Sequence, residues 1–216
     1  MTGFLEVHRV DEHFVGVAAL SDCSLSLGRG SVIGIIGPNG AGKTTLLNVI
    51  TGLVKAGTGY VRFDNHDIIG LPIHQIASLE LVRTLQISRE MQGLTVLENL
   101  LLSPPHQVGE KLAGVLFMHR AVKQQDRENA IKARDILRRL GLWNLADQSV
   151  AALSGGQKKL LELARVLLLD LKFILLDEPA ACVAPPLLKD FVRLIRELNA
   201  NGMSFGIVEH DMHLIG

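Results

Sequence analysis

Residues 32–50 read VIGIIGPNGAGKTTLLNVI. Val32 to Ile36 is a short apolar run, rich in β-branched residues and bounded by glycine, which is the pattern of a buried strand. Lys43 to Ile50 follows with Leu46, Leu47 and Ile50 at helical spacing. Between the two, Gly37-Pro38-Asn39-Gly40-Ala41-Gly42-Lys43-Thr44-Thr45 fits the pattern G-x-x-x-x-G-K-[ST]. Gly40 and Gly42 permit backbone angles that turn several N–H groups inward at one anion. The helix opening near Lys43 adds its positive dipole end. Lys43 is expected to reach the β- and γ-phosphates of a nucleotide, and the Thr44 hydroxyl to ligate Mg²⁺. Strand, glycine-rich turn and helix together open a βαβ unit.

Working outward, Phe173 to Leu176 and Phe205 to Val208 read as two further buried strands. Residues 126–140 carry Ala130, Ala133, Leu137 and Leu140 on one helical face, with arginines and lysines on the other. Residues 186–198 repeat that stripe through Leu187, Phe191, Leu194, Ile195 and Leu198. Strands alternating with amphipathic helices predict a parallel α/β sheet. The stretch from Gln86 to Ser149 differs. It holds helix-like segments and a loop around Pro104 and Pro105, without a convincing strand. The expected organisation is an α/β core over 1–85 and 150–216 with an inserted helical lobe over 86–149.

The strand at 173–176 ends in Asp177 and Glu178. A phosphate cradle needs such a pair. Asp177 is expected to hold Mg²⁺, directly or through water. Glu178 is expected to serve as general base for the attacking water.

Composition narrows the class. The chain has 216 residues, 48% hydrophobic and 20% charged, enough to bury one sizeable core. Lys plus Arg equals Asp plus Glu at 22 each, so no basic surface points to nucleic acid as a partner. Two cysteines, Cys23 and Cys182, make neither a disulfide framework nor a zinc site. The first residues carry Glu6, His8, Arg9, Asp11 and Glu12 without an apolar run, so no signal peptide is expected in them. No apolar run approaches the roughly 18 residues that span a bilayer, so a membrane role would come through a partner.

Leu153-Ser154-Gly155-Gly156-Gln157 sets the class within the phosphate-binding folds. Read alone, it is a helix start with Ser154 as N-cap. With the two motifs above, some twenty residues before Asp177-Glu178, it resembles the signature of ABC ATPases. The resemblance covers essentially the whole chain. It implies an α/β P-loop core with a mostly parallel sheet, an antiparallel β portion near the N-terminus and the inserted helical lobe. It implies ATP as the nucleotide, sandwiched between the cradle of one chain and the signature of a second copy or a sister cassette. There Leu153, Ser154, Gly155, Gly156 and Gln157 would face the γ-phosphate in trans. Gln86, in RTLQ, matches the glutamine that senses Mg²⁺ and γ-phosphate. His210, in VEHDM, matches the histidine that contacts the γ-phosphate, and Phe14 matches the aromatic that stacks on adenine.

The wording LTVLENLLL, LLELAR and LLDEPAA is similar to the cassettes of branched-chain amino-acid importers, and related amide and urea importers share much of it. This implies transmembrane permease subunits as direct partners, a substrate-binding protein as an indirect one, and a peripheral place on the cytoplasmic face of the inner membrane. Two departures qualify the resemblance. Cys182-Val183-Ala184 replaces a run ending in a polar residue that touches the opposite ATP site. The chain also stops at Gly216, where family members run on, as expected of a fragment or of a short form. A nucleotide-binding cassette with little hydrolysis is therefore the alternative to an ATPase.

Overall fold

The computed structural model describes residues 3–84, 91, 93–103, 119–169, 171–180 and 183–209. The chain divides into two compact units. One comprises Met1–Gln86, Leu171–Ala180 and Ile195–Gly216, and the other Ile87–Asp170 and Ala181–Leu194.

The first unit holds two four-stranded sheets. Strands β1 (Leu5–Phe14) and β2 (Val17–Leu27) form an antiparallel hairpin. Its two-residue turn, Val15-Gly16, has positive φ at both positions (44° and 83°). That is the turn whose twist suits a hairpin. β3 (Val32–Ile36) leads through the glycine-rich loop into α1 (Lys43–Ile50). β4 (Thr58–Phe63) returns to pair with β1, and the short β5 (His66–Asp67) completes the antiparallel sheet in the order β2-β1-β4-β5. After α2 (Ile73–Ser78), β6 (Leu81–Arg83) joins a second sheet.

That second sheet is parallel throughout. Its other members are β7 (Phe173–Asp177) and β8 (Ser204–Glu209), and its order is β3-β8-β7-β6. β7 and β8 are central, and every residue in both is buried. β3 departs from expectation. It pairs only with β8 among the described residues, and Val32 and Ile36 are 43% and 45% exposed. An apolar run reports the side-chain chemistry of a strand, whereas its place in the sheet depends on partners remote in sequence. Here that place is an edge.

α1 is covered by both sheets. Leu46, Leu47, Val49 and Ile50 join one core with Leu5, Val7, Val61 and Phe63 of the antiparallel sheet and Phe173, Leu175 and Val208 of the parallel one. Each such side chain contributes about 1.5–3 kcal/mol over its exposed state, so the helix carrying the phosphate loop is held chiefly by packing. Phe4 sits 4.8 Å from Phe63 and 6.4 Å from Phe173, ring centre to ring centre, and joins the two layers.

The second unit is helical among its described residues. α3 (Val96–Leu101) opens on a capping box between Thr95 and Glu98. α4 (His119–Arg139) buries Ala133 and Leu137, with Leu140 just beyond its end, as the stripe predicts. Gly141, at φ 69°, then turns the chain, and the Leu142 N–H returns to the Leu137 carbonyl at 2.7 Å. α5 (Gly155–Leu167) packs Leu160, Leu161 and Ala164 inward. The second compact unit runs to 170 and takes in α5, which opens at the signature. α6 (Pro185–Ala200) spans the division at residue 195.

Candidate functional site

The phosphate loop lies where a parallel strand ends and a helix begins. Gly40 and Gly42 have φ of 82° and 83°, as the loop geometry requires. A methyl on Gly42 would also meet the Ala19 carbonyl of β2 at 2.3 Å, so the hairpin presses directly on the loop. Lys43 is 9% exposed, and its Nζ donates to the carbonyls of Gly37 and Pro38 at 2.6 and 2.8 Å. The ammonium is thus held at the centre of the loop by its own backbone. Pro38, Asn39, Gly40, Ala41 and Thr44 face outward, while Gly37 and Thr45 are half-buried.

Phe14 closes β1 beside the turn and is 44% exposed. It pairs with Val17, two residues before Ala19, whose carbonyl abuts Gly42. At about 3.3 Å per strand residue, the aromatic therefore lies a short step from the loop.

The acid pair leaves the parallel sheet at the same carboxyl-terminal end as the loop. Ile36 is in register with Glu209, and Asp177 with Val208, so β8 alone separates the ends of β3 and β7. With strands about 4.8 Å apart, those ends lie roughly 10 Å from each other. The Asp177 side chain is fully buried. Its Oδ2 accepts from Arg83, and its Oδ1 has no hydrogen-bond partner among the described residues. A buried carboxylate oxygen left open beside a phosphate loop suits a hard divalent cation, which prefers oxygen ligands. Glu178 follows in the left-handed region at φ 48°, its N–H on the Val208 carbonyl at 3.0 Å. A non-glycine residue held there costs about 1–3 kcal/mol. The turn that it makes ends the strand immediately after Asp177.

Ser154 is the N-cap of α5. Its Oγ accepts from the Gln157 N–H at 3.3 Å, and Gln157 Oε1 accepts from the Ser154 N–H at 2.9 Å, a reciprocal capping box. Ser154 and Gly155 are exposed, whereas Leu153 and Gly156 are buried. The first-turn N–H groups have no carbonyl partner within the helix, so the signature presents backbone donors and the Ser154 hydroxyl outward. Ala184 is exposed too, and its methyl offers no hydrogen bond. Gln86 and His210 lie outside the described residues.

Three neighbours of the acid pair escaped the sequence patterns. Arg83 bridges Asp177 and Asn48 of α1. Thr84 Oγ1 accepts from the Asp177 N–H at 3.2 Å. Glu209, 5% exposed, accepts from the Ala180 N–H at 2.9 Å and ties the turn after Glu178 to the end of β8. The nearest signal was the position of Arg83 and Thr84 in RTLQ, directly before the expected glutamine.

Comparison with known proteins adds three likenesses to a family match. The family model described as ABC transporter matches residues 20–181. The chain is 40% identical over 211 residues to the "Probable branched-chain amino acid transport ATP-binding protein LivG" of Methanocaldococcus jannaschii, covering 98% of this chain and 81% of that one. A solved nucleotide-free ATP-binding cassette from an ABC transporter superposes with a TM-score of 0.80 at 39% identity, over 98% of this chain and 83% of that one. A solved ADP conformation of an ATP-binding cassette of an ABC transporter superposes with a TM-score of 0.79 at 37% identity, over 100% of this chain and 84% of that one.

Proposed function

The chain belongs to the ABC transporter family of ATP-binding subunits, and from that membership we propose that it energises an importer of branched-chain amino acids by binding and hydrolysing ATP. It is a transport ATPase subunit. The amino-acid substrate is supported by what its relative is named for. The observation that carries the mechanism is the carboxyl-terminal end of the parallel sheet, where the phosphate loop with its buried Lys43 and the open Oδ1 of Asp177 face the same side.

The chemistry follows from those positions. Backbone N–H groups from Gly40 to Thr45 would hold the β-phosphate, and Phe14 the adenine ring. Lys43 Nζ would exchange its two loop carbonyls for β- and γ-phosphate oxygens, a swap of neutral acceptors for charged ones that favours binding. Mg²⁺, when bound, neutralises charge on the β- and γ-phosphates. Thr44 Oγ1, Asp177 Oδ1 and Gln86 are the groups that would hold it. The Glu178 carboxylate would take a proton from water as its oxygen bonds to the γ-phosphorus and the bond to the bridging β–γ oxygen breaks. His210 would contact the γ-phosphate end.

The outward-facing start of α5 would meet the γ-phosphate of a second cassette, so that Ser154 Oγ and the N–H groups of Gly155 and Gly156 close the site in trans. No helix among the described residues is long and apolar enough to cross a membrane. Coupling would therefore run through transmembrane permease subunits docked on the helical unit, with the cassette pair peripheral at the cytoplasmic face and a binding protein delivering substrate.

Phosphate release from Mg·ATP, compared between the parent and Glu178→Gln with size-exclusion of both, tests the reading. The parent should turn over. The variant should lose at least about a hundredfold in rate, the scale of a lost general base, and persist as an ATP-bound dimer. Nucleotide binding without turnover in the parent, alone and with its permease, would mark a binding cassette instead.

A further inference from the structure

Arg83 ends β6, and its side chain is 7% exposed. The guanidinium is split between two partners. Nη2 donates to Asp177 Oδ2 and Nη1 to Asn48 Oδ1, each at 2.5 Å. Nε has no partner among the described residues. An arginine that meets a carboxylate face-on takes both oxygens. Here Asn48, on the helix that carries the phosphate loop, draws the second nitrogen aside, so among the described residues Asp177 is gripped by Oδ2 alone and Oδ1 stays open. The next residue fixes the backbone of the acid. Thr84 Oγ1 accepts from the Asp177 N–H, and the Thr84 N–H donates to the Leu175 carbonyl at 2.9 Å. Two consecutive residues, the last of β6 and the one after it, thus set the side chain and main chain of Asp177.

We propose that Arg83 is the resident counterion of this acid: it holds Asp177 by Oδ2, leaves Oδ1 open to the divalent cation, and balances the buried carboxylate whenever that cation is gone. The proposal rests on Asp177 being the metal-holding acid of an ATPase. Two consequences separate it from a packing role. A buried carboxylate without a counterion is costly, so with Arg83 removed the stability of the protein should come to depend on the metal. A guanidinium on the same carboxylate also repels the cation, so its removal should tighten metal binding.

The test compares the parent, Arg83→Gln and the double variant Arg83→Gln/Asp177→Asn. Mn²⁺ binding is followed by electron paramagnetic resonance with ADP present, and thermal unfolding is followed in EDTA and in Mn·ADP. Arg83→Gln should melt below the parent in EDTA and gain more from Mn·ADP than the parent does. It should bind Mn²⁺ about tenfold more tightly, the scale of removing one screened like charge. The double variant should melt above Arg83→Gln in EDTA, because the uncompensated charge is gone. Parental Mn²⁺ affinity together with a parental metal-dependent shift in Arg83→Gln would overturn the proposal. If Arg83→Gln does not fold in EDTA, rescue by Asp177→Asn supports the counterion role, and failure of both variants overturns it in favour of packing. If the parent binds no Mn·ADP, the ATPase reading itself fails, while the EDTA comparison still decides whether Arg83 compensates Asp177.

Discussion

At the scale of single residues, the phosphate loop shows two glycines required for different reasons. Gly40 and Gly42 share a left-handed backbone, yet only Gly42 lies against another strand, at the Ala19 carbonyl. A methyl on Gly40 meets nothing within 4 Å. Gly40→Ala should therefore cost about 1 kcal/mol of stability through backbone strain alone. Gly42→Ala should cost about 2–4 kcal/mol, since the hairpin or the loop must also move, and it should weaken ATP binding more. Urea denaturation with nucleotide titration measures both, and equal losses would show that the Ala19 contact is immaterial. The requirement at Gly42 is a tertiary one. The motif announced the glycine, but the residue it abuts, 23 positions earlier in a strand, has no marker in the sequence.

At the scale of elements, α5 begins with a capping box whose members are the signature residues themselves. Ser154 serves the helix and, by the proposed function, the partner's nucleotide. Ser154→Ala should cost about 1 kcal/mol of stability and abolish the ATP-dependent dimer of the Glu178→Gln background. A variant that loses stability but still dimerises would confine Ser154 to capping. The elements also show which local patterns survive in the folded chain. α1, α4, α6, β7 and β8 were readable because a 3.6-residue stripe or an unbroken apolar run is their own property. β1 was not. Its buried and exposed residues fall out of alternation where the pairing shifts between Val7 and Val10 and again before Glu12 and His13. β6 is three residues long, too short for any period. The exposed edge of β3 depends on the order β3-β8-β7-β6, which no window of sequence contains. The partnership of Arg83 with Asp177 spans 94 positions and was invisible for the same reason.

At the scale of the whole molecule, the two sheets of the first unit are tied by an ionic cluster at the end opposite the nucleotide. Asp64, in the turn between β4 and β5, takes Arg29 at 2.8 Å and Lys172 at 3.2 Å, and Lys172 also meets Glu80 at 3.4 Å. Partial burial works against the Asp64 carboxylate, but hydrogen bonds from Lys172 and Arg29 outweigh it and hold its pKa below the ordinary value. Lys172 is raised, first by its hydrogen bond to Asp64 and against a smaller opposing effect of burial. The depressed acid adds stability above its ordinary pKa, which is lost as pH falls through the depressed value. The raised base adds stability below its ordinary pKa, which is lost as pH rises through the raised value. The full effect therefore spans the range between the ordinary aspartate and lysine values. Urea midpoints across pH should fall at the acid end of that range, and Asp64→Asn should flatten the acid arm while lowering the plateau slightly, as befits exposed pairs. An unchanged acid arm would locate the acid sensitivity elsewhere.

The strand order carries one more consequence, for the time before the protein is finished. Among the described strands β8 is made last, yet it lies between β3 and β7. While the chain emerges from the ribosome, the phosphate loop and the acid strand are already synthesised, but the strand that sets them side by side is not. The nascent polypeptide has all of the first motif and no means of using it until residues 204–209 appear. A translation product ending before Ser204 would leave β3 and β7 each with an unpaired, apolar flank, the kind of surface that chaperones and proteases recognise. A cassette with its two motifs made but unpaired would thus carry the mark of an unfinished chain.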